Sequence, residues 1–412
     1  MDLFGIITIL IVLSALFGYI NVRFIKLPVT IGLMVMAIIF SACMLLVNYF
    51  DPGLFHYAED VIKQINFSDV LLNVMLSFLL FAGALHADGA WLKAESRTIM
   101  IFSLSGVIIS TVLIAFMIYA AVQLAGLKLD IIYCMLFGAL ISPTDPIAVL
   151  GILTKANVPK KIEANIVGES LFNDGVAVVF FIVITDIIKK GISQVSFTDI
   201  LLLFVQEALG GILFGLLLGY IMYKLMKSID HYETEVMITL AVVMGGYYVA
   251  SILHVSGPLA MVVTGLYTGS RSKELAMSDT TALYVFKFWE MIDVIMNAVL
   301  FVLIGLHLLV LDFSIRYLLA GLLAIPIVLL SRYLSIKIPV LITGKLTGLH
   351  KKDQLLMVWG GLRGGLSIAM ALSLSQSNAK DIIVFSTYIV VLFSILVQGL
   401  TVGRVAKKLY AS

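Results

Sequence analysis

Three short stretches of this 412-residue chain set carboxylates, hydroxyls and an arginine inside otherwise apolar sequence. The first reads Leu140-Ile141-Ser142-Pro143-Thr144-Asp145-Pro146-Ile147. Each proline removes a helical N–H and orphans the carbonyl four residues back. Pro143 and Pro146 should therefore free the carbonyls of Ala139 and Ser142 beside the Asp145 carboxylate. An unwound segment with free carbonyls and a buried acid is what a dehydrated cation needs, and a kinked structural helix explains the prolines but not the aspartate. The second stretch reads Gly168-Glu169-Ser170-Leu171-Phe172-Asn173-Asp174-Gly175, then runs apolar from Val176 to Ile184. Glu169 and Asn173 are four apart, as are Ser170 and Asp174, so each pair shares a helix face. Two carboxylates, a hydroxyl and an amide supply hard oxygen ligands, suited to Na⁺ or Li⁺ more than to soft metals. Asn173 also reads well as a simple hydrogen-bond partner for a neighbouring helix.

The third stretch is Trp359-Gly360-Gly361-Leu362-Arg363-Gly364-Gly365-Leu366. Four glycines cost a helix roughly 1 kcal/mol each relative to Ala, so they mark unwinding or close backbone approach. Arg363 cannot deprotonate and must find a carboxylate or backbone acceptors. Arg332, in Leu330-Ser331-Arg332-Tyr333, poses the same problem. Both read as structural counter-ions, because a cation site would repel them.

The elements that position these residues follow from composition. The chain is 61% hydrophobic and 13% charged, with a mean hydropathy of +1.10. Soluble proteins carry about 25% charged residues, so a soluble enzyme, a nucleic-acid binder and a disordered chain are excluded. The net charge of +2 points to no acidic or basic partner, and Cys43 and Cys134 lie in apolar runs and read as small hydrophobes. The apolar runs are continuous and lack the alternation of a β-barrel. An all-α polytopic membrane protein is expected. Spanning about 30 Å of hydrocarbon takes roughly 20 residues, and thirteen candidates lie near 3–22, 27–49, 67–86, 98–126, 131–153, 161–188, 197–223, 235–253, 257–270, 284–311, 314–338, 352–376 and 381–403. Lysines and arginines in the alternate connections split seventeen against six. The six are Lys63, Lys128, Lys189, Lys190, Arg316 and Lys380. The side holding seventeen is cytoplasmic by the positive-inside rule, which places the N-terminus outside and the C-terminus inside. The opening Met1-Asp2 has no basic region, so the first segment reads as an uncleaved span.

The broken segments fall in spans five and twelve. An odd offset gives them opposite orientations, as an inverted-topology repeat requires. Residues 3–188 would then pair with 235–403, with 197–223 as connector, in a single membrane domain over 1–412 and no soluble domain. Asp145, Glu169 and Asp174 against Arg363 and Arg332 leave one net negative charge if all five share a cavity. One proton or one monovalent cation neutralises it, and both together overshoot in a low-dielectric setting. Competition between cation and proton for one carboxylate is the economical reading.

At these residues the sequence resembles the NhaP/NHE-type Na⁺/H⁺ antiporters of the cation:proton antiporter superfamily. The matching stretches are SPTDPIAVLGIL at 142–153, GESLFNDGVAVVFF at 168–181, FWEMIDVIMNAVLFVLIG at 288–305 and GGLRGG at 360–365. The resemblance implies crossed interrupted helices of the NhaA/NhaP-like fold, a core domain moving against a dimerisation domain, and a homodimer in the cytoplasmic membrane. It places the ion aspartate on Asp174 with Asn173 before it, the Thr-Asp of the unwound helix on Thr144 and Asp145, and the Glu-Ser pair on Glu169 and Ser170. It assigns Arg363 as the partner of Glu169 and sets Arg332 near Asp145. Asn173, where electrogenic relatives carry a second aspartate, points to electroneutral 1:1 exchange of Na⁺ or Li⁺ for H⁺, in pH and sodium homeostasis. The missing regulatory tail resembles the prokaryotic short-tail form. No cofactor is expected beyond the transported ions.

Other polar residues carry less. His231, Glu233 and Glu235 cluster at a helix junction, read as a solvated loop before a pH sensor. Lys287, Glu290 and Asp293 read as a salt-bridge set, His86 and Asp88 as part of a polar network, and Asn297 as support for the site. His254 and His307 read as interfacial. No serine or aspartyl protease motif is placed suitably, so no enzyme is expected. A channel would favour a symmetric ring of residues from several subunits, and K⁺/H⁺ exchange on the same fold stays open because ligand type does not set cavity size.

Overall fold

The computed structural model describes residues 3–63, 67–145, 149, 153, 156, 158–191, 194–311, 313–344 and 348–410. Pro146, Lys155 and Lys345 therefore lie outside the described residues. The described chain is helical, with no strand. Its main helices are α1 (Leu3–Ile20), α2 (Val29–Phe50), α3 (Pro52–Lys63), α4 (Leu76–His86), α5 (Ser96–Leu124), α6 (Ile131–Ile141), α7 (Lys160–Lys190) and α8 (Phe197–Lys227). They continue with α9 (Tyr232–Ile252), α10 (Gly257–Tyr267), α11 (Asp279–Leu306), α12 (Ile315–Thr343), α13 (Lys351–Trp359), α14 (Gly365–Leu372), α15 (Asn378–Phe393) and α16 (Leu400–Tyr410).

Among the described residues nine helices are long and apolar enough to cross a membrane. The other four expected segments, 67–86, 131–153, 257–270 and 352–376, coincide with shorter or broken helices, so helix length alone does not set the number of spans at thirteen. Helix α3 lies between the second and third expected spans, outside all thirteen expected segments.

Helix starts follow from local chemistry. Ser196 and Asp199 form a reciprocal cap on α8: the Asp199 N–H donates to Ser196 Oγ at 3.2 Å and the Ser196 N–H to the Asp199 carboxylate at 3.0 Å. Ser278 caps α11 by accepting from the Thr281 N–H, and Ser377 caps α15 through the Lys380 N–H.

One half of the molecule centres on α5, which packs against α6, α7 and α12, while α12 packs on α15. The α5–α6 approach is backbone to backbone: a Cβ on Gly138 would lie 2.5 Å from the Thr111 carbonyl oxygen. In the other half α10 bridges α8 and α4, and α2 lies along α11. Trp289 is fully buried there, its ring 4.6 Å from Phe81 and its Nε1 donating to Thr239 Oγ1 at 2.9 Å.

Large apolar side chains such as Phe4, Phe116, Leu202 and Leu213 point outward. Glu169, Ser170, Asn173, Arg332 and Arg363 are buried. In water that distribution would be unstable; in a bilayer the lipid covers the apolar surface and polar groups pair inside.

Candidate functional site

The site forms where two interrupted elements meet. Helix α6 stops at Ile141, and residues 143–145 are not helical. Helix α13 stops at Trp359, and α14 begins at Gly365. The Asp145 N–H donates to the Leu362 carbonyl at 2.7 Å, joining one interruption to the other. Gly364 permits the approach, because a Cβ there would lie 2.4 Å from Asp145 Oδ2. The Asp145 carboxylate thus lies against the start of α14, where unsatisfied N–H groups favour negative charge.

Arg363 serves the C-terminal end of α6, at the same break. Its Nη1 donates to the carbonyl of Ser142, and to that of Pro143 at 3.0 Å. The guanidinium sits where the helix dipole is negative and unsatisfied carbonyls collect. Its backbone N–H donates to Ser394 Oγ at 2.8 Å; Ser394 donates to Gln398, and Gln398 to the Trp359 carbonyl. The Ser142 carbonyl, expected to be open to a cation, is therefore committed to Arg363.

Glu169 pairs with Arg332, not with Arg363. Both guanidinium nitrogens reach it, Nη1 to Oε1 and Nη2 to Oε2 at 2.9 Å, and Nη2 also donates to the Met357 carbonyl at 3.1 Å. The two arginines are thus exchanged relative to expectation. Arg363 belongs to the segment lying directly on Ser142 and Pro143, so its side chain meets those carbonyls first. Arg332 comes from α12 and fits its guanidinium beside Gly361, where a Cβ would be 2.7 Å from Nε.

A directed hydrogen-bond chain ties the α6 break to α7. Asn173 Nδ2 donates to Thr144 Oγ1 at 2.9 Å, and the Thr144 N–H donates to Asn173 Oδ1 at 3.3 Å. Ser170 Oγ donates to the Thr144 carbonyl at 2.7 Å, which leaves the Thr144 hydroxyl to donate to Ser170 at 2.7 Å. Thr144, Ser170 and Asn173 are buried, whereas Asp145 and Asp174 keep partial exposure.

Both aspartates open onto one cavity of about 70 Å³, with Thr144 and Gly364 in its wall and a cover of leucines that includes Leu71 and Leu80. Of the expected site residues, the cavity brings together Asp145, Asp174 and Thr144. Glu169, Ser170, Asn173, Arg332 and Arg363 stand behind this wall; the two arginines face a separate small pocket near Gln398. Two further polar side chains reach the cavity, Asn297 from α11 and Ser367 from α14. Ser367 escaped the sequence reading, since a lone serine after GGLRGG has no distinctive spacing.

The remaining polar residues lie outside the cavity wall, although Asp293 borders it through Asn297. Lys287 pairs with Glu290 at 2.6 Å as expected, while Asp293 accepts from Asn297 Nδ2 at 3.0 Å. His231 caps α9, but Glu235 is fully buried, accepting from the His231 N–H and the Thr281 hydroxyl, which a solvated loop would not produce. His86 links α4 to α11 through the carbonyls of Ala82 and Phe286, and Asp88 caps the short helix Gly89–Ala94.

Comparison with known proteins gives the chain a family and a fold. Residues 11–408 match the family described as sodium/hydrogen exchanger, transmembrane. The Na⁺/H⁺ antiporter NhaP of Pseudomonas aeruginosa is 48% identical over 407 residues, covering 97% of this chain and 96% of that protein. The Na⁺/H⁺ antiporter NhaH of Halobacillus dabanensis is 35% identical over 360 residues, covering 85% and 87%. A solved structure of the sodium proton antiporter MjNhaP1 from Methanocaldococcus jannaschii matches the full length of both chains with a TM-score of 0.77 at 21% identity, a likeness of fold.

Proposed function

The chain belongs to the transmembrane sodium/hydrogen exchanger family, a family of transporters and not of enzymes, and on that premise we propose that it exchanges Na⁺ or Li⁺ for H⁺ across the cytoplasmic membrane. The observation that carries the reading is the meeting of Asp145 and Asp174 in one cavity at two interrupted helices. Two acids in one low-dielectric space repel and bind a cation or a proton in common.

The charge balance supports one-for-one exchange. Glu169 and Arg332 neutralise each other as a bidentate pair. Asp145, Asp174 and Arg363 then leave one net negative charge, and one Na⁺ or one H⁺ cancels it. Loaded forms cross, while the empty charged form stays, so transport is electroneutral. Asp174 is the exchanging carboxylate. Asp145 and the free lone pair of the Thr144 hydroxyl share the ion with it. Ser170 and Asn173 hold Thr144 in place, and Glu169 with Arg332 fixes α7 against α12 without touching the ion.

Access alternates by movement of the half carrying α5–α7 and α12–α16 against the rest, with 3–188 and 235–403 as inverted repeats and 197–223 between them. The protein works as a homodimer, with its N-terminus outside and its C-terminus in the cytoplasm, in pH and sodium homeostasis.

The test is direct. Purified protein in liposomes holding a pH-sensitive dye, with the membrane potential clamped at zero, should release protons from an acid interior when Na⁺ or Li⁺ is added and stay silent with choline. Release on K⁺ alone would replace Na⁺ by K⁺ as the substrate. Isotopic cation flux without proton movement would replace exchange by a channel.

A further inference from the structure

Two atoms in the cavity wall are used by none of these roles. Asn297 Oδ1 and Ser367 Oγ are buried, on residues 3% and 1% exposed, and neither has a hydrogen-bond partner. The amide of Asn297 is oriented: its Nδ2 donates to the Asp293 carbonyl at 2.8 Å and to the Asp293 carboxylate at 3.0 Å. Its oxygen is therefore the edge left for the cavity. Buried polar atoms are ordinarily satisfied, and an orphan at a functional site signals a missing partner.

We propose that Asn297 Oδ1 and Ser367 Oγ are ligands of the transported cation and decide which monovalent cation the site prefers. This rests on the exchange reading above and deepens it. Asp145 and Thr144 approach the cavity from the break after α6, and Asp174 from α7; Asn297 and Ser367 add oxygens from α11 and α14. A dehydrated Na⁺ or Li⁺ needs hard oxygens on several sides, and selectivity among such ions depends on ligand number and cavity size. Both added ligands are neutral, so they strengthen coordination without disturbing the single-charge balance that couples one cation to one proton. A proton on Asp174 needs neither of them. The two residues thus favour the cation form specifically. Ser367 lies two residues after Gly365, the first residue of α14, so any shift of α14 that opens the cavity also removes this ligand.

The experiment compares wild type with Ser367→Ala, Ser367→Thr and Asn297→Ala in proteoliposomes, measuring apparent KM and maximal rate for Na⁺, Li⁺ and K⁺. The rise in unfolding temperature on adding Na⁺ to detergent-solubilised protein is recorded in parallel. Ser367→Ala and Asn297→Ala should each raise the KM for Na⁺ about tenfold, the effect of one lost polar contact. They should change the Li⁺ to Na⁺ preference and blunt the Na⁺-induced stabilisation, while Ser367→Thr restores wild-type values. Wild-type KM, ion preference and Na⁺-induced stabilisation in Ser367→Ala would overturn the proposal and make these atoms anchors for water. Should Asn297→Ala fail to fold, Ser367→Ala and its threonine rescue decide the matter alone. A wild-type protein that moves no protons on any cation removes the exchange reading, an outcome distinct from variants that match an active wild type.

Discussion

The Asp145 N–H donates to the Leu362 carbonyl at 2.7 Å, so a residue of one broken helix completes the backbone of the other. Each interruption leaves polar backbone groups with no water to meet them, and in lipid every such group needs an internal partner. Here each break supplies partners for its counterpart. Arg363 on the second break takes the carbonyls of Ser142 and Pro143 on the first. The Asp145 carboxylate on the first sits against Gly364, at the start of α14. The cavity lies where these two irregular segments meet and bond to each other.

Asp174→Ala should abolish Na⁺-driven proton release while the protein folds and reaches the membrane. The residue keeps partial exposure to the cavity and makes no structural ion pair among the described residues. Dye-loaded liposomes give the rate, and size-exclusion chromatography the folding control. Exchange at more than a tenth of the wild-type rate would move the proton site elsewhere.

Glu169→Ala and Arg332→Ala should each destabilise by about 3–5 kcal/mol, since either strands a buried charge. Glu169→Gln combined with Arg332→Met should recover much of that loss. Thermal unfolding in detergent, arranged as a double-mutant cycle, measures the coupling. Independent, additive effects would mean that the pair contributes little.

Arg363→Ala should chiefly lower stability and yield, because it leaves the Ser142 and Pro143 carbonyls unsatisfied. Arg363→Lys should recover only part of the loss, since an ammonium is a point charge without a planar fork. A well-folded Arg363→Ala with altered ion selectivity would instead place the guanidinium among the ion's direct determinants.

Competition between one Na⁺ and one H⁺ for the same carboxylate predicts a specific pH dependence. On the acid side the apparent KM for Na⁺ should rise about tenfold for each unit that pH falls, at constant maximal rate. Initial rates over a grid of pH and Na⁺ concentration measure it. A falling maximal rate at constant KM would require separate sites for the two ions.

Asn173→Asp should make transport sensitive to an imposed potential, by adding one charge next to Thr144. It should also slow exchange, because a carboxylate cannot donate as Asn173 Nδ2 does to Thr144 Oγ1. Rates at two clamped potentials decide whether charge at this position sets the stoichiometry.

Most of the architecture was legible in the residues because the membrane imposes a strong physical rule. Long apolar runs become helices, and the proline at 143 and the clustered glycines at 360–361 become breaks, whereas α12 continues through Pro326 and Pro339. The same rule drew attention to Asp145 and Asp174, since a carboxylate in such a run must have a use or a partner. Helix α3 was missed because it is amphipathic and only twelve residues long.

What the sequence alone determined was the all-helical membrane class, the two broken segments and the set of charged groups that burial makes expensive. Tertiary structure alone decided how those groups pair. Glu169 takes Arg332 and Arg363 takes the α6 carbonyls, because the approach of the second break to the first places Arg363 beside Ser142 before it can reach Glu169. Tertiary structure alone also brought Ser367 into the wall of the cavity that the two aspartates share. Helical periodicity sets which face of its own helix a side chain occupies, whereas its neighbour across the interface depends on packing between segments far apart in the chain.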